Sequence, residues 1–141
     1  MFIQKYTPLI ARIFIAVIFI QTGIANAIEF ADTQQQIADV GIPLSALVAL
    51  CVVIFEIAGG VSLILGYKVQ IGVILLLLFL VPATLVFHNP VADPAEMISF
   101  LKNLAIIGGL LMIAAHGPGP VSLERSAAKS KSLQHSEESM R

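Results

Sequence analysis

Residues 44–65 read LSALVALCVVIFEIAGGVSLIL, an unbroken apolar stretch with a single charge, Glu56. At 1.5 Å per residue, about 20 helical residues cross about 30 Å of hydrocarbon, so this stretch has the length and composition of a membrane span. Its apolar character is continuous, whereas a strand of a membrane barrel alternates at period two. Residues 9–28, 69–88 and 97–115 have the same character. Backbone groups in lipid must pair within their own segment, so all four stretches are expected to be helices. The expected fold is all-α, a polytopic membrane four-helix bundle occupying residues 1–120.

The rest of the composition points the same way. The chain has 141 residues, 57% hydrophobic and 12% charged, with a mean hydropathy of +0.93, where a soluble domain carries about 25% charged residues. A formal net charge of −1 offers no basic face to nucleic acid. The lone cysteine, Cys51, excludes an internal disulfide, a CxxC pair and a multi-cysteine metal site. His88 and His116 fall at opposite ends of spans, about a membrane apart, so no shared metal ion is expected. No P-loop, dinucleotide glycine motif, HExxH or nucleophile elbow occurs. Ala25-Asn26-Ala27 has the form of a signal cleavage site, but Gln21 and Gly23 interrupt the apolar run before it and Arg12 shortens it, so the first span is expected to be retained.

The connections set the topology. Residues 29–43 are acidic and lack Lys and Arg; Asp32 as N-cap, with Phe30, Ile37 and Val40 at helical spacing, predicts a short interfacial helix ending at Gly41-Ile42-Pro43. Gly66-Tyr67-Lys68 is tight enough to make the second and third spans antiparallel neighbours. The third connection, residues 89–96, holds Pro90 and Pro94 and again no basic residue. Gly117-Pro118-Gly119-Pro120 stops the last span, and the Ser-rich tail, residues 121–141, has too little apolar content to pack and is expected to be disordered. Lys5, Arg12, Lys68, Arg125, Lys129, Lys131 and Arg141 all lie on the side of the N-terminus, which predicts cytoplasmic termini.

Polar residues inside the spans are costly and need partners, water or a function. Arg12, roughly 5 Å inside its span, is expected to snorkel as an orientation anchor. Glu56 lies roughly 18 Å from the outer edge of its span. Either it is neutral or it faces a polar interior holding residues such as Gln21, Asn103 or Arg12, and its role is helix packing, or else proton handling or ligand binding. Lys102 and Asn103 lie roughly 8 to 9 Å inside the outer edge of the fourth span. His88 ends the third span at that face, and Gln21 and Asn26 occupy the outer half of the first. This layer suits an apolar ring with polar substituents, with Lys102 as main donor, Asn103, His88 and Gln21 assisting, and Phe87, Phe100 and Leu104 as walls. Snorkelling and interhelical hydrogen bonds account for the same residues without a ligand. Arg12, Ala16, Gly23 and Asn26 form a packing face, and Gly59-Gly60 and Gly108-Gly109 mark close helix approach. Pro82 is expected to kink the third span.

Several phrases, in order, resemble the DoxX family of small four-helix bacterial membrane proteins. They are Arg12-Ile13-Phe14, Phe19-Ile20-Gln21-Thr22-Gly23, Gly41-Ile42-Pro43, Glu56-Ile57-Ala58-Gly59-Gly60, His88 after Ala83-Thr84-Leu85-Val86-Phe87, Lys102-Asn103-Leu104, and Gly117-Pro118-Gly119 with Ser122 and Glu124. The resemblance covers about residues 8 to 124. It implies a multi-pass protein of the bacterial inner membrane associated with redox complexes, as small subunits of thiosulfate:quinone oxidoreductase or of quinol oxidases. Members often carry Lys three residues after the glycine matched by Gly23; here that residue is Asn26. The expected role is an accessory or quinone-contacting subunit with a protein partner in a membrane redox complex and no tightly held cofactor. Self-association stays open. The alternatives are a non-catalytic scaffold or assembly factor, and a small proton-coupled exporter in which Glu56 trades a proton for a cation.

The basic-residue asymmetry gives a direct test. Reporter fusions after residue 141 should be active only as cytoplasmic reporters, and fusions between Asp32 and Asp39 only as periplasmic ones. The reverse pattern overturns the orientation.

Overall fold

A computed structural model describes residues 1–139; Arg141, counted above among the basic residues, lies outside them. The described residues form six α-helices and one 3-10 turn, and they include no strand. The helices are α1 (Phe2–Ile28), α2 (Phe30–Asp39), α3 (Ser45–Leu65), α4 (Val69–Phe87), α5 (Met97–His116) and α6 (Leu123–Ser139), with the 3-10 turn at Pro94–Glu96 before α5. α1, α3, α4 and α5 are long and apolar enough to cross a membrane. α1 starts at Phe2, well before the expected residue 9, because a helix can run past the hydrocarbon edge with polar residues such as Lys5 on its surface.

The short helix between the first two spans is present as α2, with one difference. Glu29 is its cap residue, and Asp32 sits in its first turn instead, where a carboxylate still favours the helix N-terminus. Ile37 is the buried residue of α2, and the helix packs against α3.

α3 packs against α1, α2 and α4, while α5 packs on α4 and touches α1 far less. Paired glycines bring α3 close to both span neighbours. A Cβ at Gly59 would lie 3.0 Å from the Gly72 carbonyl oxygen of α4, and a Cβ at Gly60 would lie 2.6 Å from Ile20 Cγ1 of α1. Gly108 departs from expectation: a Cβ there meets nothing within 4 Å, whereas one at Gly109 meets Ile15 Cδ1 at 2.8 Å. Only one member of that pair faces the bundle. The core between these contacts is Ala16, Phe19, Leu63, Leu76, Leu80 and Leu110 with their neighbours.

Arg12 does not snorkel. It is 1% exposed, and its guanidinium donates to the carbonyls of Leu63 (3.0 Å), Val121 (2.5 Å) and Pro8 (3.3 Å). The reason lies at the end of α3. Gly66 adopts a left-handed conformation (φ 65°), and the N–H groups of Gly66 and Tyr67 both return to the Ser62 carbonyl. The Leu63 carbonyl is left without its helical donor, and Arg12 supplies one. The same hub receives the chain after α5, since Glu124 N donates to the Gly66 carbonyl at 3.0 Å and Ser122 is buried there.

Residues 123–139 belong to the polar tail. They form α6, with every side chain from Leu123 to Glu138 exposed. Composition correctly reports that this segment buries nothing, but it does not measure helix propensity. Ala127, Ala128, Lys129, Lys131, Leu133 and Gln134 are strong helix formers, and the Ser122 hydroxyl accepts from Arg125 N at the helix start.

The glycines yield a paired test by thermal unfolding in detergent. Gly59→Ala should cost about 1–3 kcal/mol through overpacking. Gly108→Ala, in open space, should be neutral or stabilising by up to about 1 kcal/mol. Equal effects at the two positions would show that α3 and α4 have room to spare.

Candidate functional site

At the end of the bundle opposite Arg12, residues of α1 to α5 line a cavity of about 510 Å³, within the roughly 300–1,000 Å³ range of small-molecule sites. Its construction begins with Gly23. A Cβ on this residue would lie 2.9 Å from Ile57 Cγ1 and 3.0 Å from Glu56 Cβ, so the missing side chain lets α3 press Glu56 against α1. Thr22, the residue before Gly23, and Asn26, three residues after it, meet the carboxyl.

Glu56 is 1% exposed. Its Oε2 accepts from Asn26 Nδ2 at 2.7 Å, and its Oε1 lies 2.5 Å from Thr22 Oγ1. Thr22 Oγ1 also lies 2.9 Å from the Ile18 carbonyl. Asn26 Oδ1 in turn lies 3.3 Å from Thr33 Oγ1 on α2. The carboxyl is therefore held by a network running from α2 through α1 into α3.

The opposite wall carries a second network. Asn103 on α5 donates to Thr84 Oγ1 on α4 at 3.1 Å, and Thr84 donates to the Leu80 carbonyl at 2.6 Å. Thr84 and Asn103 are both buried. At the rim, His88 Nδ1 lies 2.6 Å from Glu96 Oε2. Lys102 also lines the cavity, and among the described residues it has no ion-pair partner. Counted from the far ends of α3 and α5, Lys102 is about 9 Å nearer the rim than Glu56. Ile18, Phe19, Phe79, Phe87 and Ile106 supply apolar wall between these polar groups.

The structure thus gathers Glu56, His88, Lys102 and Asn103 around one cavity. Gln21 does not join them. It is exposed, because at 100° per residue it turns away from the face bearing Phe19, Gly23 and Asn26. Glu56 meets Thr22 and Asn26 in place of Gln21, Asn103 or Arg12, and Arg12 serves the other end. Phe100 and Leu104 are not among the lining residues, whereas Phe87 is. Sequence reasoning passed over Thr22, Thr33, Gln36 and Thr84. The available signal was spacing: Thr22 and Asn26 are four apart on α1, and Thr84 is one turn before His88.

These features define an integral membrane protein of four spanning helices with an amphipathic cavity at one end. The DoxX family model matches residues 7–89. Inner membrane protein YqjF of Escherichia coli (strain K12) is 31% identical over 117 residues, covering 83% of this chain and 88% of that protein. Inner membrane protein YphA of the same organism is 32% identical over 122 residues, covering 83% and 87%. Surfeit locus protein 4 homolog of Drosophila melanogaster is 34% identical over 89 residues, covering 55% of this chain and 32% of that protein. No solved structure matches. The chain belongs to the DoxX family and is a multi-pass protein of the inner membrane.

The Glu56 network makes a stability prediction. Glu56→Gln keeps an acceptor for Asn26 and gives Thr22 an amide neighbour, so thermal unfolding in detergent should change little. Glu56→Leu leaves the Asn26 amide without its acceptor and should cost about 1–3 kcal/mol. Equal loss in both variants would mean that the carboxyl itself, not its hydrogen bonds, holds the helices.

Proposed function

We propose that this protein is an accessory, quinone-contacting subunit of an inner-membrane redox complex, and that the cavity between α1 and α5 receives the ring. The observation that carries the reading is the lining of that cavity. Apolar walls including Phe19, Phe79 and Phe87 stand beside Lys102, Asn103 and His88, the combination a ring with carbonyl oxygens requires of a site reached from lipid. The redox association itself rests on family resemblance. With both termini cytoplasmic, the cavity lies in the outer half of the bilayer. The protein supplies position and hydrogen bonding, and electrons pass through the partner.

A second reading, a non-catalytic scaffold, is favoured by one observation: among the described residues no buried side-chain nitrogen or oxygen lacks a hydrogen-bond partner. Helix packing alone satisfies these groups.

Lys102→Met separates the two readings, because it keeps most of the apolar stem and removes the ammonium. Under the quinone reading, the variant inserts normally and binds a quinone analogue about tenfold more weakly, the loss of one hydrogen bond to a charged donor. Unchanged analogue binding and unchanged quinone-linked turnover of the complex would leave the scaffold as the sufficient account.

A further inference from the structure

Resting on the quinone reading, we propose that the ring this cavity selects carries a negative charge on a ring oxygen, and that Lys102 is the residue that reads it. Of the charged groups on the cavity wall, all but one are already engaged within the protein. Glu56 is the acid on the wall, and both its oxygens are engaged within the protein, one at Thr22 and one by Asn26. His88 is engaged by Glu96. Asn103 spends an amide hydrogen on Thr84. Lys102 alone among the charged lining groups makes no hydrogen bond or close ion pair among the described residues, its charge acting on Glu96 only at longer range.

Lys102 is an exposed residue on the lining of an apolar-walled cavity, and none of its three ammonium hydrogens is committed to another described residue. A neutral carbonyl takes one charge-assisted hydrogen bond from the ammonium, whereas an anionic oxygen adds to it the attraction of opposite charges, which grows as water leaves the site. The vertical arrangement fits this orientation. Glu56 lies about 9 Å deeper than Lys102, so an anionic oxygen held at the rim is kept away from the one buried carboxyl. The ring body falls between them, beside Phe19, Phe79 and Ile106.

The test uses two ligands of the same shape, a 3-alkyl-2-hydroxy-1,4-naphthoquinone, whose ring hydroxyl ionises near neutral pH, and its 2-methoxy ether, which stays neutral. Binding is read by equilibrium dialysis of full-length protein in discs of zwitterionic lipid, with empty discs as baseline and the ligand's own absorbance as signal. The wild-type protein should prefer the ionised compound by about tenfold. Lys102→Met should bind both equally, and Lys102→Arg should restore the preference. Equal binding of the two compounds to wild type, or the same preference in Lys102→Met, overturns the charge selection while leaving the ring site standing. Binding of neither compound overturns the ring site itself.

Discussion

Only hydrogen fits at four places where α3 meets its neighbours: Gly23 and Gly60 toward α1, and Gly59 and Gly72 toward α4. In lipid no solvent-driven force gathers apolar helices, so close packing and interhelical hydrogen bonds must do so. These glycines determine what the close approach brings together. Gly60 and Gly59 are consecutive, about 100° apart around α3, so one step along the helix serves two different partners. Glu56, one turn before Gly60, is carried into the α1 interface by the same contact. The buried carboxyl and the helix seam are thus a single feature: without the approach at Gly23, Thr22 and Asn26 are out of reach of Glu56.

The bundle is closed at one end and open at the other, and both ends follow from helix termini. At the closed end, the glycine turn after α3 leaves a carbonyl for Arg12, and the segment after α5 returns to the same guanidinium through Val121. One side chain therefore ties α1, α3 and the exit of the last span. At the other end, α1 and α5 have no comparable tie. Their seam closes at Ile15 and Gly109 and opens beyond Ile18 and Ile106, where α2 lays Thr33, Gln36 and Ile37 across the gap.

Most of the fold was legible because the membrane makes it so: long apolar runs can only be helices, and three of the four spans begin and end within a residue or two of where hydropathy places them. Residues on strong helical faces were legible too, such as Arg12, Ala16 and Gly23 on the inner side of α1. Arg12 was misread because depth alone favours snorkelling, whereas the carbonyl that captures it comes from Leu63, distant in sequence. Gln21 was misread because polarity was weighed without its angle around α1. The cavity itself was legible only as a layer of depth. That Glu56 pairs with Thr22 and Asn26 depends on a rotation of α1 against α3 that Gly23 sets and no single-residue property reveals.

The two polar networks also separate the cavity's engaged groups from its free one. Asn26, Glu56 and Thr22 form a chain whose members satisfy one another, and Asn103, Thr84 and the Leu80 carbonyl form another. Groups satisfied in this way stabilise the helices and have little hydrogen bonding left for a ligand, because unmaking a buried bond costs more than a new one returns. The charged group with capacity to spare is Lys102, five residues in from Met97 where α5 has just begun. In the proposed reading, the deep part of the cavity contributes shape and the rim contributes recognition. The division has a physical cause, since mid-bilayer polar groups must be paired to be tolerated at all, while a lysine near the interface can stay unpaired until a ligand arrives.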